Sequence, residues 1–208
     1  MIEGLKEELY LYNLLRQLFL KEPTKELINE LSGIELSPLT DESGDDINYG
    51  LKLLIESIRN NKHRLDKWLE ELSVEYARLF IGPKNPPAVP YASFYLSESH
   101  SLMTDETIDV RRRYLEAGMA TKDLYSIPDD HIGIELEFIY YLTQKITELF
   151  EQGEREEASR LFEIREDFLS GHMAKWLFLF TDKIIEYTQE NFYKGTAFIL
   201  RGIIHNFA

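Results

Sequence analysis

Cysteine is absent from this 208-residue chain. That absence excludes disulfides, thiolate-held zinc, iron–sulfur clusters and cysteine nucleophiles, and it suits a reducing compartment. Positive charge is scarce: 23 Lys and Arg stand against 37 Asp and Glu, a net charge of −14. Such a chain lacks the clustered cations that nucleic acid and anionic lipid require. Its field instead speeds the approach of cationic partners. Long apolar runs are missing as well. No window approaches the ~18 uncharged apolar residues of a membrane span. The opening MIEGLKEELYLYNLLRQLF mixes acids with apolar residues, unlike a secretory signal with its basic start and unbroken apolar core. A soluble, cytoplasmic protein is expected, with no nucleic-acid partner and no membrane insertion.

What is present is helical periodicity. Leu5, Leu9, Tyr12, Leu15, Leu18 and Phe19 recur at three- and four-residue steps, which predicts a first helix ending before Pro23. A short helix is expected over Thr24–Leu31, then a Gly/Ser/Pro/Asp-rich loop to Asp45. The pattern resumes near Asp46, pauses at Asn60–Asn61 and continues to Phe80. The stretch GPKNPPAVPYASFY, Gly82–Tyr95, holds four prolines. Proline lacks an N–H and restricts its predecessor, so helix is excluded there and an ordered loop anchored by Tyr91, Phe94 and Tyr95 is expected. A helix over Asp105–Ala117 carries Arg111–Arg113, with Gly118 as C-cap.

Ser126–Asp129 fits a capping box that opens a long helix closed by Gly153. Helices over Glu154–Ser170, His172 to about Phe192, and Thr196–Asn206 complete the chain. With no convincing alternation, the fold class is all-α, a single globular multi-helix bundle. An N-terminal portion, 1–125, includes the Pro/aromatic loop 82–95, and a C-terminal portion spans 126–208. A weak boundary falls at Thr121–Pro128. Trp68 and Trp176 sit on apolar stripes and are assigned to the core.

The stretch IPDDHIGIELEF, Ile127–Phe138, is the one candidate for chemistry. His131 and Glu135 are four apart on one helix face, and Asp130 could orient the imidazole as in a triad. No nucleophile signature accompanies them. The chain has no HExxH or ExxH, and its other histidines are scattered. Neither metal nor cofactor is expected. Acids at a helix start cap free N–H groups and complement the helix dipole. Gly133 in the first turn points to close packing at that position, since it costs ~1 kcal/mol relative to Ala. Arg111–Arg113 reads as a solvated face with internal ion pairs.

Four stretches together resemble one family. EYARLFIGPKNPPAVPYASFYLSESHSLMTDET, VRRRYLEAG, IPDDHIGIELEFIYYL and FLSGHMAKWLFLF are similar, in order and spacing, to the TorD/DmsD/NarJ-like chaperones of molybdenum-cofactor oxidoreductases. The resemblance covers Glu75–Phe180. It implies an all-α fold with two helical portions joined by a hinge, and no catalysis. It also implies binding of the apo catalytic subunit of a molybdopterin oxidoreductase, often through its twin-arginine leader peptide, until the cofactor is inserted. Weak guanine-nucleotide binding, and a state that is either monomer or domain-swapped dimer, come with it as open alternatives.

The family's Pro-Pro-aromatic segment matches Val89–Pro90–Tyr91, with Val in place of the first proline and Tyr91 where Trp is frequent. Its Asp-His pair matches Asp130–His131, and Trp176 is followed by Leu177 where the family commonly has proline. A receptor for a basic and apolar leader needs acids beside apolar surface, and arginines pair well with carboxylates. The expected client site is therefore Pro90, Tyr91, Phe94, Tyr95, Asp129, Asp130, His131 and Glu135. Asp130 and Glu135 would face the leader's arginines, while Tyr91 and Phe94 would take its apolar part, with flexible Met103 and Met119 nearby in sequence. The alternatives are a small nucleotide- or metal-dependent hydrolase using Asp130 and His131, and a generic helical adaptor.

Overall fold

The periodic segments fold as helices in a computed structural model that describes residues 2–34, 45–83, 86–119, 127–205 and 207. In chain order they are α1 (Ile2–Leu20), α2 (Lys25–Ser32), α3 (Asp46–Asn61), α4 (Leu65–Tyr76), α5 (Ala92–Leu96), α6 (Asp105–Glu116), α7 (Ile132–Gln152), α8 (Arg155–Gly171), α9 (Leu177–Tyr187) and α10 (Asn191–His205). Short 3-10 turns occupy Lys62–Arg64 and Met173–Lys175, and a π-turn follows α4 at Ala77–Ile81. Among the described residues there is no strand, only one isolated antiparallel bridge between Tyr91 and His131. The protein is all-α.

Contacts group the chain into two units, each drawn from separated segments. One comprises Met1–Leu20 with Pro90–Trp176, the other Lys21–Val89 with Leu177–Asn206. In the first, α1 packs along α7 and α7 along α8. Tyr12, Leu15 and Phe19 of α1, with Phe138, Leu142 and Phe168, are buried in this unit. Arg165 of α8 is also buried and donates to Glu8 of α1 at 2.6 Å and to the Thr143 hydroxyl of α7 at 3.2 Å. A buried guanidinium tolerates its site only when paired in this way. Gly133 is where the sequence pointed to close packing: a Cβ there would lie 2.6 Å from the Leu20 side chain.

In the second unit α3 packs along α10. The crossing is built on glycine: a Cβ at Gly195 would sit 2.5 Å from the Gly50 carbonyl oxygen and 2.8 Å from the Leu54 nitrogen. Trp68, Leu72, Phe180 and Phe192 are buried in this unit. Both tryptophans are fully buried, each in its own unit, as the stripes implied.

Three expectations are corrected. The Pro/aromatic stretch is not devoid of helix: past its last proline, Pro90, nothing opposes helical dihedrals, and Ala92 opens the single turn of α5. The long helix begins at Ile132 with His131 as its cap; Ser126 lies outside the described residues, as do residues 35–44 of the expected loop and most of the 121–128 boundary. The helix expected from His172 to about Phe192 runs only over Leu177–Tyr187, after the 3-10 turn at Met173–Lys175, and α10 begins at Asn191. Thr188 explains the break. Its hydroxyl accepts from Glu190 N at 3.1 Å and donates to Glu75 at 2.8 Å, so a side-chain turn replaces the helical ladder.

Gly118 does end α6, in the left-handed region at φ 80°. Met119 N–H donates to the Tyr114 carbonyl at 2.8 Å and Gly118 N–H to that of Leu115 at 3.0 Å, the paired bonds of a Schellman motif.

Gly195→Ala should lower stability by about 2 kcal/mol or more, because its new methyl meets backbone that cannot rotate away. Gly4→Ala, with nothing within 4 Å, should be neutral or stabilising by up to about 1 kcal/mol. Urea unfolding of the two variants checks this contrast.

Candidate functional site

The turn Asp129–His131 meets the segment after Pro90 backbone to backbone. Ala92 N–H donates to the Asp130 carbonyl at 3.0 Å, and Ile132 N–H to the Pro90 carbonyl at 2.9 Å. Proline suits the position, since Pro90 supplies only the carbonyl that this pairing uses. The register sets Tyr91 opposite His131, with ring centroids 5.1 Å apart and edge to face.

Asp130 reinforces the same junction from below. Its side chain is fully buried, accepting from Ser93 N–H at 2.9 Å through one oxygen and from the Thr107 hydroxyl at 2.9 Å through the other. The first bond satisfies an otherwise free donor at the start of α5, and the second ties in α6. Asp129 also bonds to α6: its carboxylate pairs with Arg111, and its carbonyl accepts from the Tyr114 hydroxyl at 2.9 Å. Thr107, Arg111 and Tyr114 thus present one helix face to the turn, at steps of four and three.

His131 caps α7. Its Nδ1 accepts from Gly133 N–H at 3.0 Å, which fixes the neutral tautomer with the proton on Nε2. Burial holds its pKa down at about 4, against the opposing pull of Asp130. Burial raises the Tyr91 phenol as well, with the Asp130 charge adding to it.

Glu135, one turn on, is also fully buried. His172 Nε2 lies 2.6 Å from one of its oxygens, and Trp176 Nε1–H donates to the other at 3.3 Å. Burial raises the Glu135 pKa, and the neighbouring His172 opposes that shift. Tyr95 stacks on Trp176 at 5.5 Å, Phe94 meets Tyr95 edge-on at 5.2 Å, and Phe94 lies 5.5 Å from the His100 ring.

The structure therefore brings all eight predicted residues into one unit but gives them different surroundings. Pro90, Asp129, Asp130, His131 and Glu135 are buried, while Tyr91, Phe94 and Tyr95 are half-buried. Asp130 and Glu135 do not face outward for an incoming arginine; internal donors already engage both carboxylates. Asp130 does not orient His131 either, because its oxygens serve Ser93 and Thr107 while the His131 Nδ1 serves Gly133. Among the described residues, no group of three or more His, Asp or Glu could hold a metal ion. Arg111–Arg113 form the internal pairs the sequence suggested: Arg111 with Asp129, Arg112 with Asp109 and Glu116, Arg113 with Asp109 and Asp167. Sequence reasoning missed Thr107 and Tyr114, although their spacing with Arg111 marks a helix face. It also gave His172 no role, although His172 and Trp176 stand four apart.

Two outcomes follow from these bonds. Asp130→Ala strands a backbone N–H and a hydroxyl in the interior, so stability should fall by roughly 3 kcal/mol, with faster amide exchange at Ser93. His131 is neutral in the folded chain and has an ordinary pKa of 6.5 when unfolded. As pH falls from 6.5 toward 4, the unfolded chain takes up a proton that the folded chain does not, so stability declines over that window. The loss should reach roughly 2 kcal/mol at about pH 5. Urea midpoints measured against pH should show this component in the unmodified protein and lose it in His131→Asn.

Comparison with known proteins gives the family. The model of the family described as nitrate reductase delta subunit matches residues 41–182, taking in the Pro/aromatic segment, α6 and the Asp129–His131 turn. Proteins named Chaperone protein TorD are similar over most of their length. That of Vibrio parahaemolyticus is 26% identical over 88% of this chain and 84% of the relative. That of Vibrio cholerae is 27% identical over 90% and 84%, and that of Aliivibrio fischeri 30% over 77% and 71%. These matches reach well into the N-terminal seventy residues, where the sequence motifs alone were uninformative. The chain belongs to the nitrate reductase delta subunit family, in which it stands with the TorD chaperones.

Proposed function

We propose that this protein is a maturation chaperone. It holds the apo catalytic subunit of a molybdopterin oxidoreductase in the cytoplasm, often by its twin-arginine leader, until cofactor insertion and assembly are complete. It performs no chemistry of its own. The reading rests on family membership and on its similarity to the TorD chaperones.

The observation that carries it to particular residues is the Tyr91–His131 pairing. Half-exposed rings at Tyr91, Phe94 and Tyr95 stand on backbone that is pinned from both sides. Aromatic side chains that are rigid before binding lose little entropy on contact and make efficient anchors. In this reading Tyr91, Phe94 and Tyr95 touch the client. Pro90, Asp129, Asp130, His131 and Glu135 set the rings' position from the interior. The client's positive charge is met by the general acidity of the surface, and guanine nucleotide, where bound at all, is weakly held.

Tagged protein recovered from its native host should carry a molybdopterin catalytic subunit, identified by mass spectrometry. A Tyr91→Ala/Phe94→Ala variant with unchanged circular dichroism should carry at least about tenfold less, since central aromatic anchors dominate such interfaces. Failure of the unmodified protein to recover any such subunit would overturn the reading. Nucleotide turnover that disappears in His131→Ala would replace it with a hydrolase.

A further inference from the structure

The segment that leaves α5 and enters α6 has two strained residues. His100 at φ 49° and Met103 at φ 59° occupy the left-handed region without being glycine, a conformation that side chains other than Asn and Asp rarely adopt. Local bonds hold the loop there. Ser101 N–H donates to the Ser97 hydroxyl at 3.1 Å, and His100 Nδ1 lies 2.8 Å from the Phe94 carbonyl oxygen. Strain maintained in this way is characteristic of binding segments.

The loop's effect is to expose apolar side chains. Met103 precedes the α6 cap, Thr104, and Ile108 is the fourth residue of that helix. Residues at these two positions usually pack on each other as a hydrophobic staple. Here Met103 is 69% exposed and Ile108 67% exposed. Leu115 follows seven residues after Ile108, on the same helix face, and is 60% exposed. Leu102, beside Met103, is 46% exposed. Leu102, Met103, Ile108 and Leu115 therefore mark a row from the loop along the outside of α6, with the paired Arg112 standing between Ile108 and Leu115.

The charges around this row have a direction. Arg111, Arg112 and Arg113 are each paired with carboxylates of the same unit, so they present little net positive charge. Glu98 and Asp105, both exposed and in none of those pairs, lie at the N-terminal end of the row. From Asp105 to Leu115 is about 15 Å at helical rise. A helical apolar run of about ten residues has that length, and export leaders carry apolar runs of about 7–15 residues behind a basic start.

We infer that the 97–104 loop and the outer face of α6 seat the apolar run of a client leader, its basic end lying toward Glu98 and Asp105. The inference rests on the chaperone reading and extends it from the Tyr91–Phe94 surface to a second, longer contact. Phe94 connects the two, since its ring meets His100 within the strained loop.

The test uses the full chain and a synthetic labelled peptide: two adjacent arginines followed by about twelve alternating Leu and Ala residues, read by fluorescence anisotropy. Ile108→Asp/Leu115→Asp changes only exposed positions and should keep the native dichroism and urea midpoint while weakening binding about tenfold or more. Glu98→Gln/Asp105→Asn should weaken binding of this peptide but not of one in which glutamines replace the arginines. If the unmodified chain binds and Ile108→Asp/Leu115→Asp binds equally well, the α6 seat is wrong and the chaperone reading stands. A concentration-dependent dimer abolished by that double substitution, with peptide binding intact, also overturns it and assigns the row to a second copy. Absence of binding by the unmodified chain removes the seat and the leader-binding reading together.

Discussion

A single buried carboxylate organises the junction of α5, α6 and the turn before α7. Asp130 accepts from the start of α5 and from the Thr107 side chain of α6, while its own carbonyl accepts from Ala92. Two segments that share no helical ladder, the start of α5 and α6, are thereby fixed to one turn. A polar group in the interior is tolerable only when its oxygens are met by donors of good geometry. The neighbouring Asp129 is satisfied in the same way by Arg111. The aromatic segment beside them, whose regular structure is the single turn of α5, has its position set by these bonds.

This changes how the acidity of the chain is understood. A net charge of −14 invites the assignment of every acid near the candidate site to a cationic partner. The structure divides them. Asp129, Asp130 and Glu135 are framework, facing Arg111, Ser93, Thr107, His172 and Trp176. Glu98 and Asp105 are exposed and contribute to the field that a basic partner meets.

Much of the helical architecture could be read from residue spacing. The apolar period of α1, the left-handed glycines at 118 and 153 and the close approach at Gly133 were all legible. Burial of the candidate acids was not. An Asp before a helix looks the same in sequence whether it caps that helix or accepts from two other elements, and only the partners distinguish these cases. The break at Thr188 was hidden for a related reason. Its cause is Glu75, more than a hundred residues earlier, which accepts from both Thr188 and Gln189. Four motifs in order carried the family, but the function of each residue depended on contacts across α5, α6 and α7.

The discontinuous make-up of the two units has a consequence for synthesis. α1 belongs with α7, whose first residue is Ile132, yet the chain between them builds most of the other unit. At ribosomal speeds of about 5–20 residues per second, α1 waits on the order of ten seconds for its partner. Its apolar stripe, Tyr12 through Phe19, must spend that interval without its native cover. The chain thus emerges from the ribosome with its own first helix in need of shelter.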